Sequence, residues 1–223
     1  MNKRTAIVFG ATGLVGSYLL GEMVEMDIFE KILVFSRKSL DIQNKKVENV
    51  VYNPENIDEI ADMVRGNDLF CCLGTTIKKA GSQEAFKKVD LAMPSRIAEI
   101  AFHNKVKNFV VISSIGANAE STNFYLKVKG MMEHNILKFS FEHVIIVRPS
   151  LLLGQRNEFR FGESVARTIM PLVNPLLRGK YLKYRPVHGR DVAKAMINLV
   201  LFPRKQAIFE SDEIHDISNS MTR

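Results

Sequence analysis

Short, almost wholly apolar runs alternate along this chain with segments of helical spacing. Thr5–Phe9 is the first of these runs, and Asn108–Ser113 and His143–Val147 repeat the pattern further along. A strand that is apolar on both faces has to be covered on both faces, which is typical of a parallel sheet with helices on each side. Because crossovers between parallel strands are right-handed, the pattern predicts an α/β fold with a doubly wound parallel sheet.

Further strand and helix candidates lie between and after these runs in the sequence. The remaining strand candidates are Ile32–Ser36, Val47–Tyr52 and Asp68–Leu73. The helix candidates are Leu14–Met26, Ile57–Val64, Ala85–Asn104, Phe124–Phe139 and Val192–Leu201. We interpret the final residues, Glu210–Arg223, as a polar tail or a last short strand.

Length and composition favour one folded domain over residues 1–223. The chain is 46% hydrophobic and 25% charged, which is ordinary for a globular protein and excludes disordered and fibrous classes. Five of the seven prolines fall at or after Pro149, where they interrupt regular structure. We therefore expect residues 150–190 to form a small C-terminal, substrate-covering excursion from the sheet rather than a second domain.

A glycine-spaced turn, Gly10–Gly16 (GATGLVG), stands between the first predicted strand and the first predicted helix. Glycines at this spacing allow a sharp turn, let the backbone approach a pyrophosphate and pack the helix closely on the sheet. The N-terminus of that helix offers free amides to phosphate oxygens. A turn without a ligand is the alternative, but the strand before it and the helix after it favour a dinucleotide site in a Rossmann-type sheet.

The start of the chain imitates a secretory signal, because Lys3 and Arg4 precede the apolar run Thr5–Leu20. The regular glycines in that run argue against this interpretation.

The two cysteines, Cys71 and Cys72, are adjacent and cannot easily bridge each other, which fits a reducing compartment. No run reaches the roughly 18 uncharged apolar residues of a membrane span. We therefore expect a cytoplasmic protein without a membrane segment.

Two cations, Arg37 and Lys38, follow Ser36 at the end of the second predicted strand. Enzymes that use NAD usually place a carboxylate there to hold the ribose hydroxyls. No carboxylate stands here to repel a 2′-phosphate, and the planar guanidinium of Arg37 suits phosphate oxygens. A solvated basic turn is the alternative; with the glycine turn upstream, the pattern favours NADP(H) over NAD(H).

Tyr125 and Lys129 form a Y-x-x-x-K pair, one turn apart on one face of a predicted helix. A tyrosine titrates at about pH 10, and a neighbouring ammonium lowers that pKa. Tyr125 could then protonate a carbonyl oxygen as hydride arrives, or remove the proton in reverse, while Lys129 could also bind the nicotinamide ribose. Ser114 ends a predicted strand at the ligand-binding edge and could hold the substrate oxygen. Alone, such a Tyr–Lys pair is an ordinary surface feature.

These features together resemble the short-chain dehydrogenase/reductase superfamily, in its atypical or extended branch. Arg148-Pro149 and the stretch Pro186–Ala193 (PVHGRDVA) match that branch too. Along nearly the whole chain, the sequence is similar to the Tat-interacting oxidoreductase family, whose small bacterial members are often labelled nucleoside-diphosphate-sugar epimerases. The segments that carry this resemblance are Cys71–Thr76, Lys79–Gly81, Ser113-Ser114, Tyr125–Gly130 and Arg148–Leu153.

The resemblance implies a single Rossmann domain that binds NADPH. It implies pyrophosphate contacts for Thr12–Val15 and adenosine contacts for Leu73 and Gly74. It also implies a nicotinamide contact for Leu152, with Arg160 reaching the cofactor from the loop after the sixth strand. The full set of expected cofactor residues is Gly10, Thr12, Gly13, Leu14, Val15, Gly16, Arg37, Lys38, Leu73, Gly74, Tyr125, Lys129, Pro149, Leu152 and Arg160. No residue is assigned to the asparagine that completes the four-residue catalytic set of ordinary short-chain reductases.

Three functions remain open at this point. An NADP-dependent oxidoreductase is favoured, because Ser114, Tyr125 and Lys129 are present together. An NADPH-binding regulatory or scaffold protein with little turnover is the alternative from another class. A sugar-nucleotide epimerase would use the same residues, but such enzymes usually carry a larger C-terminal lobe, and only about seventy residues follow Pro149.

Positive charge is concentrated late in the chain. The net charge is +7, and residues 156–190 contain eight basic and two acidic residues. The basic ones are Arg156, Arg160, Arg167, Arg178, Lys180, Lys183, Arg185 and Arg190. A solvated face would explain them, and an anionic small-molecule substrate is the sharper hypothesis. Nucleic acid is disfavoured, because no recognised module or aromatic interleaving accompanies the cations.

The remaining candidate residues are interpreted as structural. Buried cysteines such as Cys71 and Cys72 are usually inert packing. His188 is expected to cap a helix with Asp191 rather than to act in catalysis. The five histidines lack the spacing of metal ligands, so no metal site is predicted. A homodimer and a protein partner stay open as further partners.

Overall fold

The computed structural model describes residues 3–154 and 179–220. The strands are β1 (Arg4–Phe9), β2 (Phe29–Ser36), β3 (Val47–Val51), β4 (Asp68–Cys71), β5 (Asn108–Ile112), β6 (His143–Arg148), β7 (Leu152–Leu153), β8 (Val187–His188) and β9 (Ile208–Glu210). The α-helices are α1 (Leu14–Glu25), α2 (Ile77–Ala80), α3 (Gln83–Lys87), α4 (Met93–His103), α5 (Phe124–Ile136), α6 (Gly189–Leu201) and α7 (Ser211–Asn219). Two 3-10 segments cover Pro54–Met63 and Gly179–Tyr184, and a π-helical turn covers Lys88–Ala92.

Seven of these strands form one parallel sheet in the order β3-β2-β1-β4-β5-β6-β9. The chain adds strands outward on one side from β1 to β3 and on the other side from β4 to β9. The direction of winding therefore reverses between β1 and β4. In open α/β sheets, the carboxyl ends of the strands at such a reversal form the crevice that binds ligands. The predicted Rossmann-type doubly wound fold is confirmed.

Both faces of the sheet are covered, which explains why its strands are apolar without alternation. In β1, Ala6 and Val8 belong to the core layer that includes residues of α1, α6 and α7. Ile7 and Phe9 belong to the opposite layer, with residues of the Pro54–Met63 segment, α4 and α5. All four side chains are fully buried, so hydrophobic burial on two sides holds β1 in the middle of the sheet.

An ion-pair network joins the carboxyl ends of β5, β6 and β9 to α5. Arg148, at the end of β6, donates from Nε and Nη2 to Glu133 of α5 at 2.9 and 2.5 Å, and from Nη1 to Glu210 at 3.1 Å. The buried Glu133 carboxylate also accepts a hydrogen bond from Ser113, which follows β5. Since each partner belongs to a different element, the network fixes the edge of the sheet from which the predicted catalytic residues emerge.

The predicted polar tail at Glu210–Arg223 is wrong for most of its length. The structure instead places β9 beside β6 and follows it directly with α7. Glu210 and Glu213 form a capping box that starts this helix. Ile214 and Ile217 are buried in the core. Two apolar positions three residues apart, in so polar a stretch, are too few to distinguish a helix from a tail.

The two ends of the predicted excursion at residues 150–190 lie side by side. These ends, β7 and β8, pair as a short parallel sheet. There Gly154 and Gly189 lie against Leu14 of α1, because a Cβ on either would come within 2.7 or 2.9 Å of the Leu14 side chain. The middle of the predicted excursion, residues 155–178, lies outside the described residues.

Candidate functional site

The crevice between β1 and β4 is built around Gly10. This residue has φ +83°, a left-handed conformation that residues with a Cβ rarely adopt. A Cβ at this position would lie 2.7 Å from the carbonyl oxygen of Cys72, which follows β4. The amide of Cys72 donates to the carbonyl oxygen of Phe9 at 2.8 Å. The two strand ends therefore meet backbone to backbone, and only glycine fits between them.

Two further glycines fold the start of α1 onto this turn. The amide of Gly13, the residue before α1, donates to the carbonyl oxygen of Gly10 at 3.0 Å. A Cβ on Gly16 would collide with the same oxygen. The first turn of α1 thus packs directly against the backbone that follows β1, which is the close helix packing that the glycine spacing predicts.

The start of α1 is partly exposed and has no acidic neighbour on its first turn. Thr12 and Gly13 are exposed, whereas Leu14 and Val15 are buried. Gly13 provides no side chain to cap the helix, and no acidic residue stands in the first turn. The electropositive end of α1 therefore begins beside two exposed residues and without an acidic neighbour, which is compatible with a pyrophosphate there.

The predicted 2′-phosphate residues, Arg37 and Lys38, are both exposed immediately after β2. Because β2 is the neighbour of β1 in the sheet, they stand on the same edge as Gly10. Neither forms a salt bridge with any residue in the described part of the chain. Burial, with a contribution from Cys71, raises the pKa of Tyr52 to about 12, and the nearby Arg37 opposes that rise.

A buried ion pair joins Asp90 to Lys129, the predicted catalytic lysine. Lys129 Nζ lies 2.7 Å from Asp90 Oδ1 and 3.5 Å from the carbonyl oxygen of Ile112 at the end of β5. Asp90 Oδ2 accepts the amide of Thr75 at 2.8 Å. The side chains of Asp90 and Lys129 are 1% and 5% exposed. One buried carboxylate therefore links the loop after β4 to the lysine of α5.

The ion pair keeps Lys129 charged. Burial alone lowers the pKa of Lys129, but the Asp90 carboxylate and the Tyr125 phenol together outweigh burial and raise it above its ordinary value. The ammonium is therefore retained at neutral pH. Since the charge is also countered by Asp90, less of its field acts on groups that lie farther away.

Asp90 is the functional residue that sequence reasoning missed. It stands in the π-helical turn between α3 and α4, and such turns are frequent at functional sites. Its partner belongs to a different helix, so no local spacing connects the two. A lone acid between the apolar residues Val89 and Leu91 is the one signal that could have indicated a buried charge.

The structure brings Tyr125 and Lys129 together on consecutive turns of α5. Tyr125 is half-buried, and its ring centroid lies 5.7 Å from that of the buried Phe86. Ser114 is half-buried two residues after β5, and its hydroxyl donates weakly to the carbonyl oxygen of Ile115 at 3.4 Å. Ser114 follows β5 at the ligand-binding edge, Lys129 reaches the end of β5 at Ile112, and Tyr125 lies one helical turn before Lys129.

The other residues expected at the cofactor follow β4 and β6. Gly74 is exposed, and a Cβ there would stand 3.5 Å from the carboxylate of the buried ion pair. Leu73 and Leu152 are half-buried, and Pro149 is buried. Arg160 lies outside the described residues.

The two cysteines are free thiols in a protected environment. Burial raises the pKa of Cys71 to about 12 and that of Cys72 well above its ordinary value. Both thiols therefore stay protonated at neutral pH, which gives them little nucleophilic or redox character. This agrees with their interpretation as packing residues.

His188 has the structural role that its position predicts. Its Nδ1 accepts the amide of Arg190 at 3.1 Å and so caps α6. Among residues 3–154 and 179–220, no group of His, Cys, Asp and Glu side chains could hold a metal ion. Within the same ranges, no helix combines the length and the apolar character that crossing a bilayer would take.

The chain matches a family model described as NAD(P)H-binding over residues 10–201. This range begins at the Gly10 turn and includes the basic residues after β2, the Asp90–Lys129 pair and α6. The chain belongs to this family of NAD(P)H-binding proteins.

Two relatives make the assignment more specific. Protein HTATIP2 of Rattus norvegicus is 36% identical over 207 residues, which covers 91% of this chain and 84% of that protein. Protein FMP52, mitochondrial, of Debaryomyces hansenii is 36% identical over 209 residues, which covers 91% of this chain and 90% of that protein. The resemblance to the Tat-interacting oxidoreductase family, among the atypical short-chain dehydrogenases/reductases, is thereby confirmed.

Solved structures agree with the fold. MoeE5 in complex with UDP-glucose and NAD matches with a TM-score of 0.68 at 16% identity, over 98% of this chain and 82% of that chain. Vestitone reductase from alfalfa matches with a TM-score of 0.64 at 19% identity, over 93% of this chain and 76% of that chain. At such low identity the likeness concerns the fold alone.

Gly10→Ala should destabilise the protein more than Gly81→Ala. The two glycines have almost the same left-handed φ, +83° and +84°, but a Cβ on Gly81 would meet nothing within 4 Å. We expect Gly81→Ala to lose about 1 kcal/mol through backbone strain. Gly10→Ala should lose clearly more, because its Cβ also displaces Cys72. Urea unfolding of both variants measures the difference; equal losses would contradict an energetic role for the close approach.

Asp90→Ala should lower the free energy of unfolding by about 3 kcal/mol or more, because it leaves Lys129 buried without its partner. Lys129→Met should be costly for the reciprocal reason. The double variant should recover much of the loss, since neither buried charge remains. Chemical denaturation of the four proteins gives the coupling free energy, and purely additive losses would argue against a coupled pair. Asp62→Ala breaks an exposed ion pair and should change stability by about 0.5 kcal/mol or less.

Proposed function

We propose that this protein is an NADP-dependent oxidoreductase that transfers hydride to or from a small carbonyl or alcohol substrate. The observation that carries the proposal is the position of Lys129. It is buried and charged, one helical turn from Tyr125, at the ligand-binding edge of an NAD(P)H-binding fold. An ammonium fixed beside a half-buried phenol supports proton exchange between that phenol and a substrate oxygen.

The residues present fit a dinucleotide. Gly10 and Gly16 let the turn fold tightly onto the start of α1, because a Cβ on either would collide with backbone, and Thr12–Val15 would hold the pyrophosphate at the N-terminus of α1. Leu73 and Gly74 would flank the adenosine side. Pro149, Leu152 and Arg160 complete the proposed set. When bound, the nicotinamide supplies or accepts the hydride.

The proposed catalytic roles follow from the arrangement on α5. Tyr125 gives a proton to the substrate oxygen during reduction and removes it during oxidation. Lys129 favours the phenolate through its charge and binds the ribose. Ser114 donates a hydrogen bond that orients the substrate oxygen. Asp90 keeps the lysine in place, because its own carboxylate is fixed by the amide of Thr75.

The choice of NADP(H) over NAD(H) is supported by Arg37 and Lys38. Both are exposed on the same sheet edge as the Gly10 turn and lack a salt-bridge partner within the described ranges. A 2′-phosphate would give them a partner that the hydroxyl of NAD does not offer.

The substrate in this proposal is small and anionic. Residues 156–190 carry most of the surplus positive charge and belong to the proposed substrate cover of a single domain. Arg190, however, pairs with Glu22 at 2.6 Å, so it contributes to α1 packing rather than to a ligand. MoeE5, with UDP-glucose and NAD, offers a precedent for a phosphate-bearing ligand on this fold.

A cytoplasmic location and a homodimer remain part of the proposal.

A second candidate is an NADPH-binding regulatory protein with little turnover. One observation favours it: the charge of Lys129 is already countered by Asp90 at 2.7 Å. A lysine in that state exerts a weaker field on Tyr125 than a lone ammonium would. Both candidates require the cofactor, and they differ in turnover.

Thermal unfolding with added nucleotide tests the cofactor. NADPH should stabilise the protein, by about 2.7 kcal/mol at a hundredfold excess over its dissociation constant. NADH should give a clearly smaller effect. Arg37→Ala should abolish most of the difference, whereas Arg65→Ala, which removes an exposed cation paired with Asp62, should preserve it. The absence of stabilisation by either nucleotide would refute the proposed cofactor site.

Replacement of Tyr125 by Phe tests the chemistry. Turnover of NADPH against a panel of carbonyl substrates should fall by about a hundredfold or more, the scale of a lost general acid. NADPH affinity should be nearly unchanged, because only the hydroxyl is removed. Undiminished turnover in Tyr125→Phe would exclude the mechanism. A wild-type protein that binds NADPH yet reduces nothing in the panel would favour the regulatory candidate.

A further inference from the structure

The turn that carries the two cations is held by a residue of the neighbouring strand. We define the basic turn as residues 36–40, from the last residue of β2 onward. Asn49 Nδ2, on β3, donates to the carbonyl oxygen of Val34 at 2.9 Å and to Ser36 Oγ at 2.8 Å. Asn49 Oδ1 accepts the amide of Leu40 at 2.9 Å. Both ends of the basic turn are therefore bonded to one side chain.

The middle of the basic turn is tied to the same side chain through Ser36. The hydroxyl that accepts from Asn49 donates in turn to the carbonyl oxygen of Lys38 at 2.6 Å. Residues 37–40 belong to no helix or strand. Their conformation thus depends on these side-chain hydrogen bonds more than on any regular backbone pattern.

Asn49 satisfies requirements that few other side chains meet. Both N–H groups and the oxygen of its amide are used, and the side chain is half-buried on the edge strand β3. An aspartate of the same size would accept from Leu40 but could not donate. An alanine would leave three polar groups of β2 and the basic turn without this partner.

We propose that Asn49 is a positioning residue for cofactor selection. By fixing the basic turn, it holds Arg37 and Lys38 where they can meet the 2′-phosphate of NADPH. The inference rests on the proposed use of NADP(H) and adds a determinant of that preference in the sheet itself. NADH lacks the 2′-phosphate, so loosening the basic turn weakens NADPH selectively, whereas a purely structural role would weaken both nucleotides alike.

Fluorescence titration of the full chain with NADPH and with NADH tests this inference. Asn49→Ala should weaken NADPH binding about tenfold and NADH binding less than about twofold, the scale expected when a few neutral hydrogen bonds that order a charged contact are lost. Asn49→Asp should reduce NADPH binding further, because it adds a negative charge beside the basic turn.

Asn44→Ala is the matched control. Asn44 lies just before β3, at the opposite end of the same strand, and its side chain accepts the amide of Lys46 at 2.9 Å. This variant also removes an asparagine hydrogen bond near the sheet edge, but away from the basic turn. The ratio of NADPH to NADH affinity should therefore stay at its wild-type value.

A double variant shows whether Asn49 acts through the cations. In the Arg37→Ala background, Asn49→Ala should have a clearly smaller effect on NADPH binding than in the wild type, since the contact of Arg37 is already lost and only that of Lys38 remains. An equal loss for NADPH and NADH in Asn49→Ala, or an undiminished loss in the Arg37→Ala background, would overturn the inference. If Asn49→Ala is too unstable to titrate, Asn49→Ser, which removes the amide without adding a charge, decides by the same ratio.

The wild-type titration separates this inference from the function on which it rests. If the wild-type protein prefers NADPH and Asn49→Ala leaves the ratio of NADPH to NADH affinity unchanged, the positioning role alone is overturned. Wild-type protein that binds both nucleotides equally, or neither, would overturn the proposed use of NADP(H) and the inference with it. Thermal unfolding of each variant without nucleotide establishes that the titrated protein is folded.

Discussion

The architecture of the site depends on one contact between two backbones, that of Gly10 with the carbonyl oxygen of Cys72. It sets the separation of the strand ends at the point where the sheet reverses its winding. The loop that leaves Cys72 then reaches Thr75, whose amide binds Asp90, and Asp90 in turn fixes Lys129. A short series of direct contacts therefore connects the Gly10 turn to the lysine proposed to act in catalysis.

The buried pair of Asp90 and Lys129 has two opposite effects on the site. It preorganises the ammonium, because the position of the charge is fixed before any ligand arrives. It also makes the pair nearly neutral as seen from outside, so that Tyr125 experiences something closer to a dipole than to a full positive charge. The proposed reductase depends on the first effect, and the second effect favours the proposed cofactor-binding regulator.

The fold was predictable from sequence because the signals that define it are local. Unbroken apolar strands such as Thr5–Phe9 indicate burial on two faces, and the glycine spacing of Gly10–Gly16 indicates a turn. Both interpretations are independent of distant parts of the chain. The Asp90–Lys129 pair and the Asn49 bonds are contacts between different elements, so no spacing within one element could reveal them. The helix α7 escaped prediction for another reason, since tertiary burial of a few isoleucines decides its structure.

The pairing of β7 with β8 gives the chain a further property. Gly154 and Gly189 hold the two ends of this small sheet against Leu14 of α1, so the intervening segment starts and finishes at one anchored point. Residues can be inserted or deleted between the anchors without shifting the register of any strand in the main sheet. Evolution can therefore vary the length and sequence between these two anchors while the strands of the main sheet and the Gly10 turn are inherited unchanged.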